Sequence, residues 1–244
     1  MIIDTHAHIW KDQYEQSSNV LIESADRYNI DRIYVSGLGA LVPDSNEIKE
    51  LNDNVAKLMR RDKRIFGYCY INPRLDDAKN ELSRGIEELG MSGMKLWVVA
   101  YCDDPCVFPL VEQCINYDVP ILIHAFHKAI GQLPNETLGE NVANLALKYP
   151  EARIIMAHLG ANSYRELKPI RKCKNVWTDY SGTLFRRDEL DYAKETLGAE
   201  RLLFGTDMDL ASFLLKLGQL DDSNFTPGER EMVLYKNALT VFKH

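Results

Sequence analysis

The chain lacks the even, regularly spaced cysteines of a disulfide-stabilised protein. Its 244 residues include five cysteines, an odd number at irregular spacing: Cys69, Cys102, Cys106, Cys114 and Cys173. A disulfide framework is therefore not expected, and a reducing, cytoplasmic location is favoured. Cys102 and Cys106 are close enough to suggest a metal pair. Without a second cysteine pair, and with Pro105 between them, free thiols in a loop are the preferred interpretation.

Long apolar runs and an excess of basic residues are also missing. The longest apolar runs have the length of strands and fall short of the roughly 20 residues that a membrane span needs. With 29 basic and 36 acidic residues the net charge is -7, which argues against non-specific nucleic-acid binding. No signal peptide is expected, because a strand-like segment begins at the first residues. The expected partner is a small-molecule substrate, and no feature of the sequence indicates an oligomeric state.

Strand-like and helix-like segments alternate along the whole chain. Eight strands are predicted, at Met1–Asp4, Arg32–Ser36, Ile65–Ile71, Gly93–Val98, Val119–His124, Arg153–His158, Val176–Tyr180 and Leu202–Thr206. Helices are predicted at Val20–Tyr28, Ser45–Arg61, Asp76–Leu89, Val107–Tyr117, Gly139–Tyr149 and Arg186–Leu197. This alternation predicts parallel strands that are covered on both faces.

Eight such units favour a closed (β/α)8 barrel, an α/β fold in which residues 1–244 form a single domain. The alternative is an open, doubly wound sheet, which predicts a glycine-rich phosphate loop after the first strand. That position holds Ala7-His8-Ile9-Trp10 instead. No linker or low-complexity tract divides the chain.

The sequence Asp4-Thr5-His6-Ala7-His8 is the most informative motif. Side chains two residues apart on a strand point to the same face, so His6 and His8 would direct two imidazoles at one point. A His-x-His pair alone is weak evidence of a metal site. Three more candidates strengthen it: His124, His158 and Asp207 each follow an apolar run of their own.

These candidates share one position in the predicted barrel, the carboxyl ends of the strands, where barrel enzymes place their active sites. Lys95 lies within the fourth predicted strand and faces the same region. His127 and His244 are the only histidines outside this pattern. Taken together, the positions favour a metal site over histidines buried for packing.

The chain resembles the amidohydrolase superfamily, in particular its amidohydrolase 2 group of metal-dependent hydrolases and decarboxylases. The resemblance rests on Asp4-Thr5-His6-Ala7-His8, on His124, on Ala157-His158-Leu159-Gly160 and on Leu203-Phe204-Gly205-Thr206-Asp207. The segment from Asn237 to Phe242 resembles the closing helix of that group. One motif departs from that group: Thr206-Asp207-Met208-Asp209 stands where Ser-Asp, an aromatic residue and proline are usual. The pocket beside Asp207 is therefore not typical of the group, and the resemblance does not identify the substrate.

The resemblance implies a role for each candidate. His6, His8 and His124 would bind a metal, with Asp207 as a further ligand or as the base for a bound water. His158 would orient the substrate or bind a second metal. Lys95, as a carbamate, could bridge two ions; a salt bridge to Asp207 or to a substrate carboxylate is slightly preferred. One ion is therefore favoured over two, with zinc as the default and manganese or iron as alternatives.

Other residues near the predicted site receive lesser roles. Asp4 lies deeper than His6, so hydrogen bonding is expected rather than ligation. Trp10, Trp97 and Tyr180 can line a pocket, although packing is the more common role of aromatic residues at strand ends. The pair Arg186-Arg187 can bind an anionic substrate, although a charge pair at the start of a helix is usually solvated.

The favoured function is a metal-dependent hydrolase that activates water and acts on an amide, ester or lactone. The first alternative is a metal-dependent, non-oxidative decarboxylase of a small carboxylic acid, which needs no attack by hydroxide. The second alternative is a non-enzymatic, ligand-binding barrel, which predicts an incomplete set of metal ligands.

Overall fold

The polypeptide folds into a nearly closed barrel of eight parallel strands, as the sequence predicts. The computed structural model describes residues 1–182 and 186–243. Its strands are β1 Ile3–Trp10, β2 Arg32–Leu38, β3 Ile65–Tyr70, β4 Gly93–Leu96, β5 Ile121–Ile123, β6 Ile154–Met156, β7 Val176–Asp179 and β8 Leu202–Leu203. Each strand pairs with the next one along the chain. This order excludes the open, doubly wound sheet.

The strands are joined by helices that cover the outside of the barrel. These are α1 Tyr14–Tyr28, α2 Ser45–Arg61, α3 Ala78–Glu87, α4 Phe108–Asn116, α5 Gly139–Lys148, α6 Ser163–Ile170, α7 Glu189–Leu197 and α8 Phe213–Asp221, followed by α9 Pro227–Glu231 and α10 Asn237–Phe242. Helices α6, α8 and α9 were not predicted. Helix α6 has only eight residues and contains Pro169, so its sequence shows no clear helical repeat of apolar residues. Within the described residues, no helix is both long enough and apolar enough to cross a membrane.

The barrel closes between its first and last strands. Thr5 and Asp207 donate their N–H groups to the carbonyls of Phe204 and His6. The Asp4 carboxylate is buried and accepts hydrogen bonds from Thr206 Oγ1 at 2.6 Å and from Thr206 N at 3.0 Å. The predicted hydrogen-bonding role of Asp4 is thereby confirmed.

Two large apolar cores, and a small cluster of Ile48, Leu51 and Tyr70, support this arrangement. The larger core fills the layer between the helices and the barrel. The smaller one fills the bottom of the barrel with Tyr34, Leu122, Ile155 and Leu203. From α10, Phe242 stacks on Tyr34 with ring centroids 3.6 Å apart. This confirms the predicted closing helix, which plugs one end and leaves the carboxyl ends of the strands open at the other.

Two predicted boundaries are wrong in a way that affects the site. Strand β1 was predicted at Met1–Asp4 but extends to Trp10, because Ala7 to Trp10 pair with Val35 to Leu38 of β2. His6 and His8 are therefore inside a strand and not at its end. Strand β6 ends at Met156, and His158 lies in the following turn, Ala157–Ala161.

Candidate active site

Three side chains at the open end of the barrel form a compact triangle of metal-binding atoms. His6 Nε2 lies 3.0 Å from His8 Nε2, and His8 Nε2 lies 3.1 Å from Asp207 Oδ1. The third edge, from His6 Nε2 to Asp207 Oδ1, is 3.7 Å. The two histidines meet because they occupy alternate positions of β1, whereas Asp207 follows β8 with its backbone in the left-handed region (φ 65°).

The outer nitrogens of the two histidines are held by buried acceptors. His6 Nδ1 lies 3.0 Å from Asp179 Oδ2 at the end of β7. His8 Nδ1 lies 2.9 Å from Ser36 Oγ on β2. If each Nδ1 carries the proton and donates it to its acceptor, each Nε2 presents a lone pair to the triangle. Metal-binding histidines in proteins are commonly fixed in this way.

His158 completes a second, overlapping group with His6 and Asp207. Their ligand atoms all lie within 4.8 Å of one another. The His158 backbone is left-handed (φ 61°), and its Nδ1 lies 2.8 Å from Ser181 Oγ. At Gly182 a side chain would place Cβ only 3.0 Å from His158 Nδ1, so glycine allows this close approach.

His124 lies beyond His158 and is farther from the triangle than His158 is. Its Nδ1 is 3.2 Å from His158 Nε2, and its Nε2 is 3.0 Å from Glu136 Oε1. Among the described residues, His124 belongs to neither ligand group. Glu136 also accepts a hydrogen bond from Lys128 Nζ at 2.8 Å. The structure therefore places His124 between the buried Glu136 carboxylate and His158.

Lys95 is buried within β4 and approaches the triangle from below. Its Nζ lies 3.0 Å from His6 Nε2. Burial lowers the pKa of Lys95 to about 8, and the carboxylates of Asp207 and Asp179 partly offset that effect. Within the described residues Lys95 forms no salt bridge to Asp207, which was one of its two predicted partners, and its Nζ lies beside the inner nitrogen of His6 instead. A salt bridge to a substrate carboxylate stays a prediction.

The electrostatics of the cluster favour neutral imidazoles and an ionised carboxylate. Burial lowers the pKa of His6, of His8 and, to about 4, of His158. Burial alone would raise the pKa of Asp207, but the surrounding imidazoles, His158 first, outweigh it and lower this pKa. Neutral imidazole and ionised carboxylate are the forms that bind metals.

The donor set and its spacing fit one divalent ion. Triangle edges of 3.0, 3.1 and 3.7 Å leave a point about 2 Å from all three atoms, close to the usual length of a metal bond to nitrogen or oxygen. Both ligand groups share His6 and Asp207, so they describe one centre. The ligand set is not the incomplete one that a non-enzymatic barrel predicts.

A cavity of about 270 Å³ opens above this cluster. Its polar lining consists of His8, His124, Lys128, Glu136, His158 and Asp207. Its apolar lining consists of Trp10, Leu38, Trp97, Phe126, Leu133 and Leu210. Trp10 and Trp97 therefore line the cavity, although packing was the preferred expectation for both. Tyr180 is instead buried in the large core, where its hydroxyl has no hydrogen-bond partner among the described residues.

Several residues of the site were not recognised from the sequence. Asp179, Ser181, Ser36 and Glu136 all contact a candidate histidine, and all are buried. Asp179 carried a usable signal, since it is an acidic residue at the end of an apolar strand. Glu136 carried none, because it lies in the loop after β5. Among the predicted residues, His244 lies outside the part of the chain that the structure describes.

The chain is similar to proteins of one family. A family model described as amidohydrolase (Amidohydro_2) matches residues 3–243. A curated relative, the gamma-resorcylate decarboxylase of Polaromonas sp. strain JS666, is 24% identical over 243 residues, covering 79% of this chain and 74% of the relative.

Solved structures resemble the fold over its full length. A 2,6-dihydroxybenzoate decarboxylase from Rhizobium superposes with a TM-score of 0.79 at 18% identity, covering 99% of this chain and 98% of the other. A 5-carboxyvanillate decarboxylase from Novosphingobium aromaticivorans, complexed with manganese and 4-hydroxy-3-methoxy-5-nitrobenzoic acid, gives 0.81 at 17% identity and covers 100% and 96%.

These comparisons correct two predictions. The favoured hydrolase function is wrong, because the curated relative and both of these structures are decarboxylases, which was the first alternative. The default choice of zinc also lacks support, since manganese is the ion bound in the 5-carboxyvanillate enzyme. The resemblance to the amidohydrolase 2 group is confirmed.

Proposed function

This chain belongs to the amidohydrolase family, and from that membership and its site we propose that it is a metal-dependent, non-oxidative decarboxylase of a small aromatic carboxylic acid. The observation that carries the proposal is the His6–His8–Asp207 triangle at the base of a cavity with aromatic walls. The decarboxylase names of the relatives support the same reaction.

The proposed site holds one divalent ion, with manganese as the first candidate. His6, His8 and Asp207 are its proposed ligands, with His158 at the edge of the same group. His124, also predicted as a ligand, is nearer to His158 and Glu136 than to the triangle, and we assign it to proton handling. When bound, such an ion supplies positive charge that holds the substrate carboxylate and a neighbouring oxygen.

The side chains of the cavity then position the acid and exclude water. Trp97 and Phe126 provide flat apolar surfaces for an aromatic ring. Lys95 adds positive charge beneath the reacting carboxylate, where burial makes it more effective than in water. Loss of solvent also destabilises a localised carboxylate relative to the more dispersed charge of the transition state.

The reaction needs one proton at carbon. The bond between the ring carbon and the carboxylate breaks, carbon dioxide leaves, and the electron pair remains on the ring carbon. His158 is a neutral imidazole at rest, because burial lowers its pKa to about 4, and it is the proposed relay that takes a proton from His124 and passes it to this carbon. His124 then regains its proton from solvent. His158 Nε2 faces His124 Nδ1 at 3.2 Å, and Glu136 can stabilise a proton on His124 from the other side. Decarboxylation uses no hydrolytic water, so the predicted role of Asp207 as the base for such a water does not apply. Its proposed role is that of a metal ligand.

The direct test is carbon dioxide release from a panel of 2-hydroxybenzoates, including 2,6-dihydroxybenzoate, by manganese-loaded protein. We expect release that stops when a chelator removes the metal. His158→Gln should lower the rate by about 10²–10⁴-fold, the usual range for loss of an acid–base group. Lys172→Gln, an exposed change that lines neither the active-site cavity nor the cavity that adjoins it, is the control. Hydrolysis of amides or esters without carbon dioxide release from any acid in the panel would refute the proposal.

A further inference from the structure

A separate cavity, of about 280 Å³, lies at the closed end of the barrel, opposite the active site. It is lined by residues from the amino ends of β7 and β8 and from α10: Lys174, Trp177, Glu200, Arg201, Asn237 and Thr240. Its volume is close to the value of about 270 Å³ for the active-site cavity, and the two share no lining residue. We call it the lower cavity. It has room for one substituted aromatic ring of its own.

A buried guanidinium without a carboxylate partner forms part of its wall. Arg201 is 4% exposed. Four of its five N–H groups donate to backbone carbonyls at 2.8–3.1 Å, one from Nε, two from Nη1 and one from Nη2. Within the described residues, the fifth N–H has no acceptor, and Arg201 takes part in no salt bridge. Carbonyls solvate the charge without neutralising it, and burial lowers the pKa of Arg201, so an anion at this wall is favourable.

Asn237 adds a hydrogen-bond acceptor to the same wall. It is 6% exposed, and its Nδ2 donates to the carbonyls of Ala199 and Leu202, both at 2.8 Å. Because these two bonds use both amide hydrogens, Oδ1 is the free end of the side chain, and no donor among the described residues bonds to it. A carboxylate alone leaves this acceptor without a partner. The wall therefore favours a ligand that carries a donor as well as a negative charge.

The other lining residues supply a flat surface and two exposed charges. Trp177 packs against the smaller core and stays partly exposed, so its ring offers an apolar face to the cavity. Lys174 and Glu200 are both exposed, and the Glu200 carboxylate lies against Gly198 in the turn before β8. Water screens both exposed charges, so the buried guanidinium has the larger influence on the sign of the ligand.

We propose that the lower cavity binds a small aromatic acid with a hydrogen-bond donor beside its carboxylate. The carboxylate accepts the free N–H of Arg201, the donor reaches Asn237 Oδ1, and the ring lies against Trp177. The simplest such acid is 2-aminobenzoate, because one of its amino hydrogens can bond to its own carboxylate while the other stays free. The inference does not depend on the proposed reaction, since no active-site residue takes part.

The test is binding of 2-aminobenzoate to the manganese-loaded protein and to the same protein after chelation, measured by calorimetry. We expect one molecule per chain to bind after chelation, because the lower cavity contains no proposed metal ligand. The uncharged 2-aminobenzamide should bind at least about tenfold more weakly, since it loses a charge-assisted hydrogen bond. The probe 2-methylbenzoate, which has no donor, should bind about three- to tenfold more weakly, since it loses an ordinary one.

Substitutions at two exposed positions should act in opposite directions. Lys174→Gln removes a positive charge and should weaken binding by about two- to fivefold, whereas Glu200→Gln removes a negative charge and should strengthen it by a similar factor. Trp177→Leu removes the flat surface and should weaken binding by about tenfold. Lys172→Gln is the matched control, because Lys172 is exposed and close in sequence but does not line the lower cavity. It should leave the affinity unchanged.

Trp97→Leu separates the lower cavity from the active site, because Trp97 lines only the active-site cavity. It should leave binding to the chelated protein unchanged. Binding that Trp97→Leu weakens and Trp177→Leu does not, or equal effects of the Lys174 and Lys172 variants, would overturn the inference. Since decarboxylation is not measured, either proposal can fail while the other holds.

Discussion

At the scale of single residues, the site depends on side chains that do not touch the substrate. Asp179, Ser36 and Ser181 each face the outer nitrogen of a histidine, and each lies on a strand or directly after one. Their contribution is to fix which nitrogen carries the proton and where the ring points. Loss of such a partner usually weakens metal binding by 10–100-fold.

Ser36→Ala tests this role at His8. Without the hydroxyl, His8 Nδ1 loses its acceptor at 2.9 Å, and we expect the affinity for manganese to fall by about tenfold or more. Affinity is measured by competition with a chelator. Ser18→Ala is the matched control, since Ser18 is also buried but its hydroxyl has no hydrogen-bond partner within the described chain. An unchanged affinity in Ser36→Ala would show that Ser36 does not orient His8.

Lys216 on α8 provides a prediction about pH and stability. Burial lowers its pKa to about 8 from an ordinary value of 10.5, with Asp179 and Glu189 opposing the shift. Below pH 8 the folded and unfolded states both carry the charge, and the folded state bears the full cost of burying it. Between pH 8 and about 10.5 the unfolded state binds more protons, so the Lys216 contribution to stability rises with pH.

Lys216→Met should remove this dependence, because methionine keeps an unbranched side chain without the charge. We expect the variant to be more stable than the unsubstituted protein at pH 7, with the difference shrinking towards pH 10. Denaturant unfolding at several pH values gives the free energies. A difference that stays constant with pH would contradict the assignment to Lys216.

At the scale of elements, one arginine joins the ends of two helices. Arg201, buried before β8, donates to the carbonyls of Ile170, Arg171 and Cys173 at the end of α6, and to that of Leu197 in α7. The last carbonyls of a helix have no partner within it, so this guanidinium satisfies groups that burial would otherwise leave unpaired.

Arg201→Lys should therefore destabilise the protein although it keeps the charge. The lysine ammonium has three donors on a flexible stem and cannot reproduce the fork that reaches four carbonyls. We expect a loss of about 2–3 kcal/mol in the free energy of unfolding, measured by denaturant titration. Glu195→Gln, an exposed change on α7, should have little effect. A similar loss in both variants would rule out the carbonyl contacts as the cause.

At the scale of the whole molecule, the eight strands bring the proposed metal ligands together from distant parts of the sequence. His6 and Asp207 are 201 positions apart, yet His6 Nε2 and Asp207 Oδ1 lie 3.7 Å apart because the last strand closes on the first. Lys95 beside His6 Nε2 adds a positive charge that opposes a second cation nearby.

We therefore expect one ion per chain, measured by mass spectrometry of the manganese-loaded protein, whether or not bicarbonate is present. Removal of the ion by a chelator should lower the melting temperature, because the ion binds the folded state preferentially. Two ions per chain that require bicarbonate, and that Lys95→Ala abolishes, would instead indicate a carbamylated lysine that bridges them.

The sequence by itself determined the barrel and most of the cluster. Alternating apolar segments specify parallel strands covered by helices, and local spacing places His6 and His8 on one face of β1. The alternation of segments and the spacing of the two histidines can both be read from one sequence, because each depends only on residues that are close together along the chain. The unpredicted helix α6 shows the limit, since a short element with an internal proline has too few turns to reveal its period.

Only the tertiary structure decided which candidates meet and what holds them. Asp179 contacts His6 from 173 positions away, and Glu136 contacts His124 from a loop without a recognisable pattern. The same closure turned His124 towards Glu136 and brought His158 to the triangle instead. The physical reason is that strand pairing and loop geometry, rather than sequence spacing, set the direction in which each ring nitrogen points.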